Sequence, residues 1–266
     1  MSGFFHGVTV TNVDTGARSI ALPSSSIIGL VDTFTPGVGA TAKANDLVLI
    51  TSEREAVAAF GPASAITQAC KAIYTRAKAV IVACGVAKLA DPAEQTSSII
   101  GGVLADGTRT GMQALLDGKS RFNAQPRLLV TPKHSATQAV GTALVALADK
   151  LRGIAIIDGP NTTDEAALAY AENFGAKRAY LVDPGVQFWD TTADATVNAA
   201  ASAWVAGLFA WTDNEYGFWA SPSNKEFVGI TGTTRPIEFL DGDETCRANL
   251  LNNANTVSYT HLRAHE

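Results

Sequence analysis

Cysteine is scarce: Cys70, Cys84 and Cys246 are the only three among 266 residues. Thiols this scattered do not make a disulfide framework and fit a reducing compartment, where they read as small buried hydrophobes. Runs of Lys or Arg are missing and the net charge is -5, so an electrostatic footprint for nucleic acid is not expected. No uninterrupted apolar segment reaches the roughly 18 residues that span a bilayer. The N-terminus has no basic stretch followed by an apolar core, so no signal peptide is visible and no membrane partner is expected. Catalytic and ligand motifs are missing too. There is no G-x-x-x-x-G-K-[ST] phosphate loop, no G-x-G-x-x-G after a strand and no G-x-S-x-G nucleophile elbow. "GVGA" at 37–40 is only a small-residue loop. There is no C-x-x-C, no H-E-x-x-H and no histidine pair at helical spacing, so no metal and no cofactor are expected.

What is present is a globular composition, 47% hydrophobic and 17% charged, long enough for one large domain or two small ones. Short β-branched apolar runs at 26–31, 46–50, 79–83, 127–130, 153–158 and 178–182 read as buried strands. Helical patterns lie between them. Ser52 with Glu55 has capping-box spacing, and Gly61 stops that helix. Residues 66–77 place Ile66, Cys70 and Ile73 on one face. Residues 91–96 read as a polar connector, and a short helix is expected near Met112. Ser135 with Gln138 forms a second capping box, ahead of the stripe Val140, Leu144, Leu147 and Leu151. Thr162 with Glu165 caps the next helix, which Gly175 ends. Residues 192–209 read as an Ala-rich helix carrying Val197, Trp204 and Leu208. Strands alternating with amphipathic helices predict an α/β fold with a mainly parallel sheet flanked by helices on both faces. Beyond Phe209 the chain turns aromatic and loop-rich, with Trp211, Tyr216, Phe218, Trp219 and Phe227 close together. Such a cluster is either a local mini-core or a contact surface.

An α/β sheet binds ligands beyond the carboxyl ends of its strands, where Asp158 ("IIDGP") and Asp183 ("LVDPG") stand. Paired acids could hold Mg²⁺ or act as acid and base, giving a nucleotide-binding or hydrolytic enzyme. The plainer reading makes each a turn cap ahead of Gly or Pro. A serine hydrolase needs a histidine base. His6 lies in an N-terminal arm, and His134 precedes a helix cap with no evident Asp partner. The residues offer a scaffold without a recognisable site.

The two ends of the chain stand apart. Residues 4–20, "FFHGVTVTNVDTGARSI", alternate as a strand does (Val8, Val10, Val13), turn at Asp14-Thr15-Gly16, and extend again to Ile20. They precede the first α/β pattern and have no evident partner within it. At the other end "VSYTHLRAHE" (257–266) resembles translated sequencing-adapter read-through. The expectation is a foreign tail, with the native chain cut off near Thr256.

The order of motifs resembles the contractile tail sheath proteins of myophages and R-type pyocins, the short P2-like subgroup above all. "HGVTVTNVDTGARSI" (6–20) is similar to that subgroup's opening H-G-V stretch and G-x-R turn, and "SSSIIGLVDTFTPG" (24–37) to its I-x-G-L-V strand. "DLVLITSEREAVAAFG" (46–61) resembles its P-V-L-I-T strand and following helix. Similar matches follow in "IIGGVLADGTRTGMQALL" (99–116), "QPRLLVTP" (125–132), "VDPGVQFWD" (182–190) and "WASPSNKEFVGITGTTRPIEF" (219–239). No single motif decides the matter; their collinear order carries it. The resemblance implies a subtilisin-like α/β sheath domain without catalysis. It also implies a structural subunit that stacks as hexameric rings around a tail tube and contracts to drive the tube through the host envelope. Partners would be neighbouring sheath subunits, the tail tube protein, the baseplate and the tail terminator. The location would be the virion tail, with host cytoplasm during assembly. In this reading 1–20 is an extended N-terminal arm that donates a strand to another subunit through Val8, Val10, Val13 and Ile20. Residues 21–95 form the N-terminal α/β part of the body, 96–240 the subtilisin-like domain, and 241–256 the start of a truncated C-terminal domain.

Overall fold

The computed structural model describes residues 26–257 apart from 38, 192, 224, 239, 241–245 and 254–255. The arm residues Val8, Val10, Val13 and Ile20 lie outside the described residues. In chain order the elements begin with β1 (Ile28–Phe34), β2 (Leu47–Ile50), α1 (Glu53–Phe60), α2 (Ala65–Tyr74), β3 (Ile81–Ala87) and α3 (Pro92–Ile100). A 3₁₀ turn (Gly111–Asp117) leads into α4 (Gly118–Phe122) and β4 (Leu128–Val130). A second 3₁₀ turn (His134–Ala136) leads into α5 (Gln138–Leu151), β5 (Ile154–Asp158), α6 (Asp164–Ala171) and β6 (Ala179–Val182). Then come β7 (Val186–Asp190), β8 (Ala195–Ala199), α7 (Ser202–Glu215), β9 (Gly232–Thr233), α8 (Arg247–Asn253) and β10 (Thr256–Val257).

Seven strands form one sheet in the order β10-β6-β5-β4-β1-β3-β2. All pairings are parallel except β2 on β3 at the edge. The expected α/β fold with a mostly parallel sheet flanked by helices is what forms. Every residue of β1 is buried, as a strand covered on both faces requires. The side-chain period of two divides the core between those faces. In β3, Ile81 and Ala83 join Ile28, Leu30 and Val130 under α1, α2 and α7. Val82 and Cys84 point the other way, with Val31, Leu129 and the α5 stripe of Val140, Leu144, Leu147 and Leu151. The three cysteines are free and buried, and burial raises the Cys84 thiol to about 12.

Four local expectations are corrected. Residues 192–209 are not one helix: Val197 lies in β8, and α7 starts at Ser202 and runs through Glu215. Strand β8 pairs with β7, and β9 lies on the far side of β7, in a separate antiparallel sheet that the sequence pattern did not announce. Residues 91–96 are no connector, because Asp91 caps α3 through the Glu94 amide and Pro92 takes the first turn. The α6 cap is Thr163, whose hydroxyl accepts from the Ala166 amide, rather than Thr162. Ser135 does not cap α5, whose N-cap is Thr137. The Ser52 cap on α1 is as expected, with Glu55 reaching back to the Thr51 amide and hydroxyl.

Helices α2 and α7 touch where α7 carries Gly207. A methyl group there would lie 2.8 Å from the Ile73 carbonyl oxygen, against backbone that cannot yield. Gly207→Val should therefore lower stability by about 1–3 kcal/mol, the usual cost of overpacking. That corresponds to a fall in melting temperature of roughly 2–12 °C for a chain of this size. Gly175→Ala, with open space around it, should melt within a degree or two of the parent. Equal melting curves for the two variants would refute this account of the helix contact.

Candidate functional site

The carboxyl ends of the parallel strands carry the polar groups that the sequence singled out. Strand β1 lies between β3 and β4; the chain leaves β1 toward the face covered by α1 and α2, and leaves β3 and β4 toward the other face, where Ile99 of α3 and the α5 stripe pack. Such a switch point is where open α/β sheets leave a crevice. A cavity of about 450 Å³ opens there, lined by Asp32, Thr33, Lys88, His134, Phe188 and Trp204 among others. The Asp32 carboxylate is buried and accepts the Thr33 amide at 2.6 Å. His134 Nε2 stands 3.5 Å from Asp32 Oδ1. His134 thus has the acidic neighbour that its sequence surroundings did not reveal. The partner lies 102 residues earlier in the chain, joined only by the β1–β4 pairing.

Asp158, the last residue of β5, is 5% exposed, and its carboxylate is fully engaged. Its Oδ1 accepts the Ser202 amide at 2.8 Å. Its Oδ2 accepts the Ser202 hydroxyl at 2.6 Å, and the Ser135 hydroxyl and Lys133 amide at 3.1 Å each. The Asp158 amide in turn donates to the Ser135 oxygen at 2.9 Å. The N-cap position of α7 is Ala201, which has no side-chain acceptor. Asp158 supplies that acceptor from another strand and places a negative charge at the positive end of the helix. Lys133 has a φ of 62°, rare for a residue with a side chain, and its amide is fixed by the same carboxylate.

Asp183 follows β6, next to Asp158 across the sheet, since Asp158 pairs with Val182. Its partners are different ones. Oδ2 accepts the Asn161 amide at 2.8 Å, and Oδ1 forms an ion pair with Arg235. Arg235 also reaches Asp164 at 3.0 Å, and Arg247 joins Asp164 at 3.2 Å. This network pins α6, the loop after β9 and α8 to the end of β6.

The two acids therefore sit on neighbouring strands, yet each is committed to its own structural donors. Asp158 is more than the expected turn cap: it joins β5, the turn after β4, and α7. Among the described residues no group of three or more His, Cys, Asp and Glu is placed to hold a metal ion. Sequence reasoning missed Ser135 and Ser202 as partners of Asp158. The "SAT" following His134 reads equally well as a helix start.

The profile of the phage tail sheath protein central domain matches residues 107–264, and that of the tail sheath protein Gp18 domain III N-terminal region matches residues 25–86. A protein of Pseudomonas aeruginosa (strain UCBPP-PA14), named as a prophage major tail sheath protein, is 71% identical over 96% of this chain and 66% of its own length. The tail sheath protein of Escherichia phage P2 is 32% identical over 97% of this chain and 67% of its own length. The chain thus spans about two thirds of these relatives. Among solved structures, the contracted helical sheath of the anti-feeding prophage matches with a TM-score of 0.57 at 20% identity, over 88% of this chain and 59% of that one. The contracted sheath complex of an extracellular contractile injection system matches at 0.58 and 18%, over 96% and 61%. At these identities the structures speak for the fold.

Two predictions follow from the Asp158 geometry. Asp158→Ala strands the buried amide and hydroxyl of Ser202, at about 1–3 kcal/mol each. Its melting temperature should fall by at least about 5 °C, while Asp158→Asn, which keeps an acceptor, should fall less. Burial also pushes the Asp158 carboxyl above the ordinary carboxylate range, with Ser202, Lys133 and Ser135 pulling it part of the way back. Asp183 is raised in the same sense by burial, with Asn161 and Arg235 pulling it part of the way back. A carboxyl raised on folding binds its proton more tightly in the native state. Its contribution to stability is therefore full below the unfolded value of about 4 and is lost as pH rises through the folded value. Denaturant melts from pH 4 upward should show a flatter pH dependence for Asp158→Asn than for the parent; parallel profiles would contradict it.

Proposed function

The chain belongs to the phage tail sheath family, and from that premise we propose that it is a structural subunit of a contractile tail sheath. The observation that carries this reading is 71% identity to a prophage major tail sheath protein along 96% of the chain. The family is structural, and the alternative enzyme built on Asp158 and Asp183 has nothing in these relatives behind it.

In this reading the subunits stack as hexameric rings around a tail tube and contract to drive the tube through the host envelope. Baseplate and terminator meet the two ends of the sheath. The protein resides in the virion tail, after assembly in the host cytoplasm. A head-to-tail contact that does not close produces a helical array. Contraction asks each subunit to move as a rigid body without detaching. The two-faced core around β1 supports the rigid part of that description. The attachment falls to residues 1–20, which would add a strand to a neighbour's sheet through Val8, Val10, Val13 and Ile20, gaining backbone hydrogen bonds that survive rotation of the body behind them. The body would be the subtilisin-like domain of 96–240 together with the N-terminal α/β part at 21–95, and 241–256 would open a further domain. The parallel sheet with helices on both faces supports the comparison with a subtilisin-like fold.

The test is assembly. The complete reading frame that contains this chain should form tubes or polysheath-like cylinders in negative-stain electron microscopy. A monodisperse monomer under all conditions that polymerise its relatives would overturn the proposal. Deleting residues 1–20 should leave a body with the parent's melting temperature that forms no tubes, and normal tubes from that deletion would exclude the arm's role.

A further inference from the structure

The loop after α7 holds two large rings in solvent. Phe218 is 73% exposed and Trp219 is 77% exposed. They are the most exposed large hydrophobic side chains among the described residues, and they stand edge to face with centroids 5.2 Å apart. The pair is held in place. Gly217, at a φ of 99°, lies so close beneath the Trp219 ring that a Cβ would approach it to 2.5 Å. Tyr216 beside them packs on Trp211, and Trp211 in turn carries the Arg76 guanidinium on its face at 3.8 Å. The rings are thus pre-organised on the end of α7. Rigid aromatic side chains cost little entropy on binding and dominate interface energetics. Contiguous exposed apolar surface of this kind marks an interaction site.

A receiving surface exists elsewhere on the same chain. A cavity of about 480 Å³ opens between α2 and β7, within the roughly 300–1,000 Å³ of surface sites that take up drug-sized groups. Pro62, Ala63, Ala72, Phe188 and Trp204 supply apolar wall, and none of the knob residues lines it. Charge agrees with the pairing. The rings are flanked by Glu215 and by Lys225, whose ammonium lies over Tyr216 at 4.1 Å. The cavity is lined by Lys71, an exposed lysine that also reaches Glu53 at 3.7 Å, and by Asp190, so it carries charge of both signs.

We propose that Phe218 and Trp219 enter the cavity between α2 and β7 of a second copy of this chain. A knob and a hole at different places on one molecule give a heterologous contact, which repeats without closing and builds a helix of subunits. The contact rests on the sheath reading and gives it a specific body-to-body interface, separate from the N-terminal arm.

The experiment measures the critical concentration for tube formation by pelleting and electron microscopy, using the complete reading frame. Trp219→Ala removes the knob, Ala63→Trp fills the mouth of the cavity, and Val103→Ala alters an exposed apolar residue of neither surface. The first two should raise the critical concentration at least tenfold with the melting temperature retained, and the third should leave it unchanged. If Trp219→Ala does not fold, Ala63→Trp decides, because it leaves the knob intact. Assembly of either folded variant at the parent's concentration would overturn the contact and leave the sheath reading standing. Failure of the parent itself to assemble would overturn the sheath reading and the contact with it.

Discussion

A charge at the end of β5 has to be satisfied in the dark, and most of the upper half of the body is arranged around doing so. Asp158 draws the turn after β4 down onto the sheet through Lys133 and Ser135, and it draws the start of α7 across through Ser202. Once α7 is fixed at its first residue, its buried face is committed to α2 and to the ends of β4 and β5, with Gly207 seated against Ile73. The second face follows, since α5 leaves the same turn that holds Ser135. Tyr170 of α6 closes the arrangement by donating to the Ser135 carbonyl. The burial of a carboxylate is costly unless its donors are all in place. A network of this kind therefore favours one arrangement of three segments over near alternatives, in which some of those donors would be left without a partner.

The fold was legible where local pattern and tertiary role agree. Runs such as "AVIVA" and "GIAIID" are strands because both faces are covered, and α5 showed its stripe because only one of its faces is buried. Legibility failed where a segment's partner decides its state. Residues 195–199 are rich in Ala and Thr, tolerable to a helix, and become β8 because the edge of β7 is beside them. The Asp91-Pro92 start of α3 has the residues of a helix cap and first turn, but the polar run from Glu94 to Ser98 that follows hides the helix. The site was legible only in its individual members. Asp158 and Asp183 were picked out by position, but Ser135 and Ser202 lie 23 and 44 residues from Asp158, and no local rule joins them. The Asp32–His134 pair depends on strands that are neighbours in space and distant in sequence.

The aromatic segment beyond Phe209 divides into two fates. Trp211 and Phe227 serve the interior or its border, packed against the main core. Phe218 and Trp219 do not, although the sequence presents all of them alike. The difference arises from α7, which runs six residues further than its composition suggests, through Glu215. Tyr216, at the helix end, folds back onto Trp211, whereas Phe218 and Trp219 lie beyond it and pack on each other.

The position of β1 has a mechanical meaning. Strand β1 is an interior strand, in register with β3 over seven residues on one side and with β4 over three on the other. Tension along the axis of β1 meets a hydrogen-bonded ladder on each side. It therefore loads both ladders in shear, where many bonds must yield together, rather than unzipping an edge strand one bond at a time. A pull along β1 is therefore shared between two ladders.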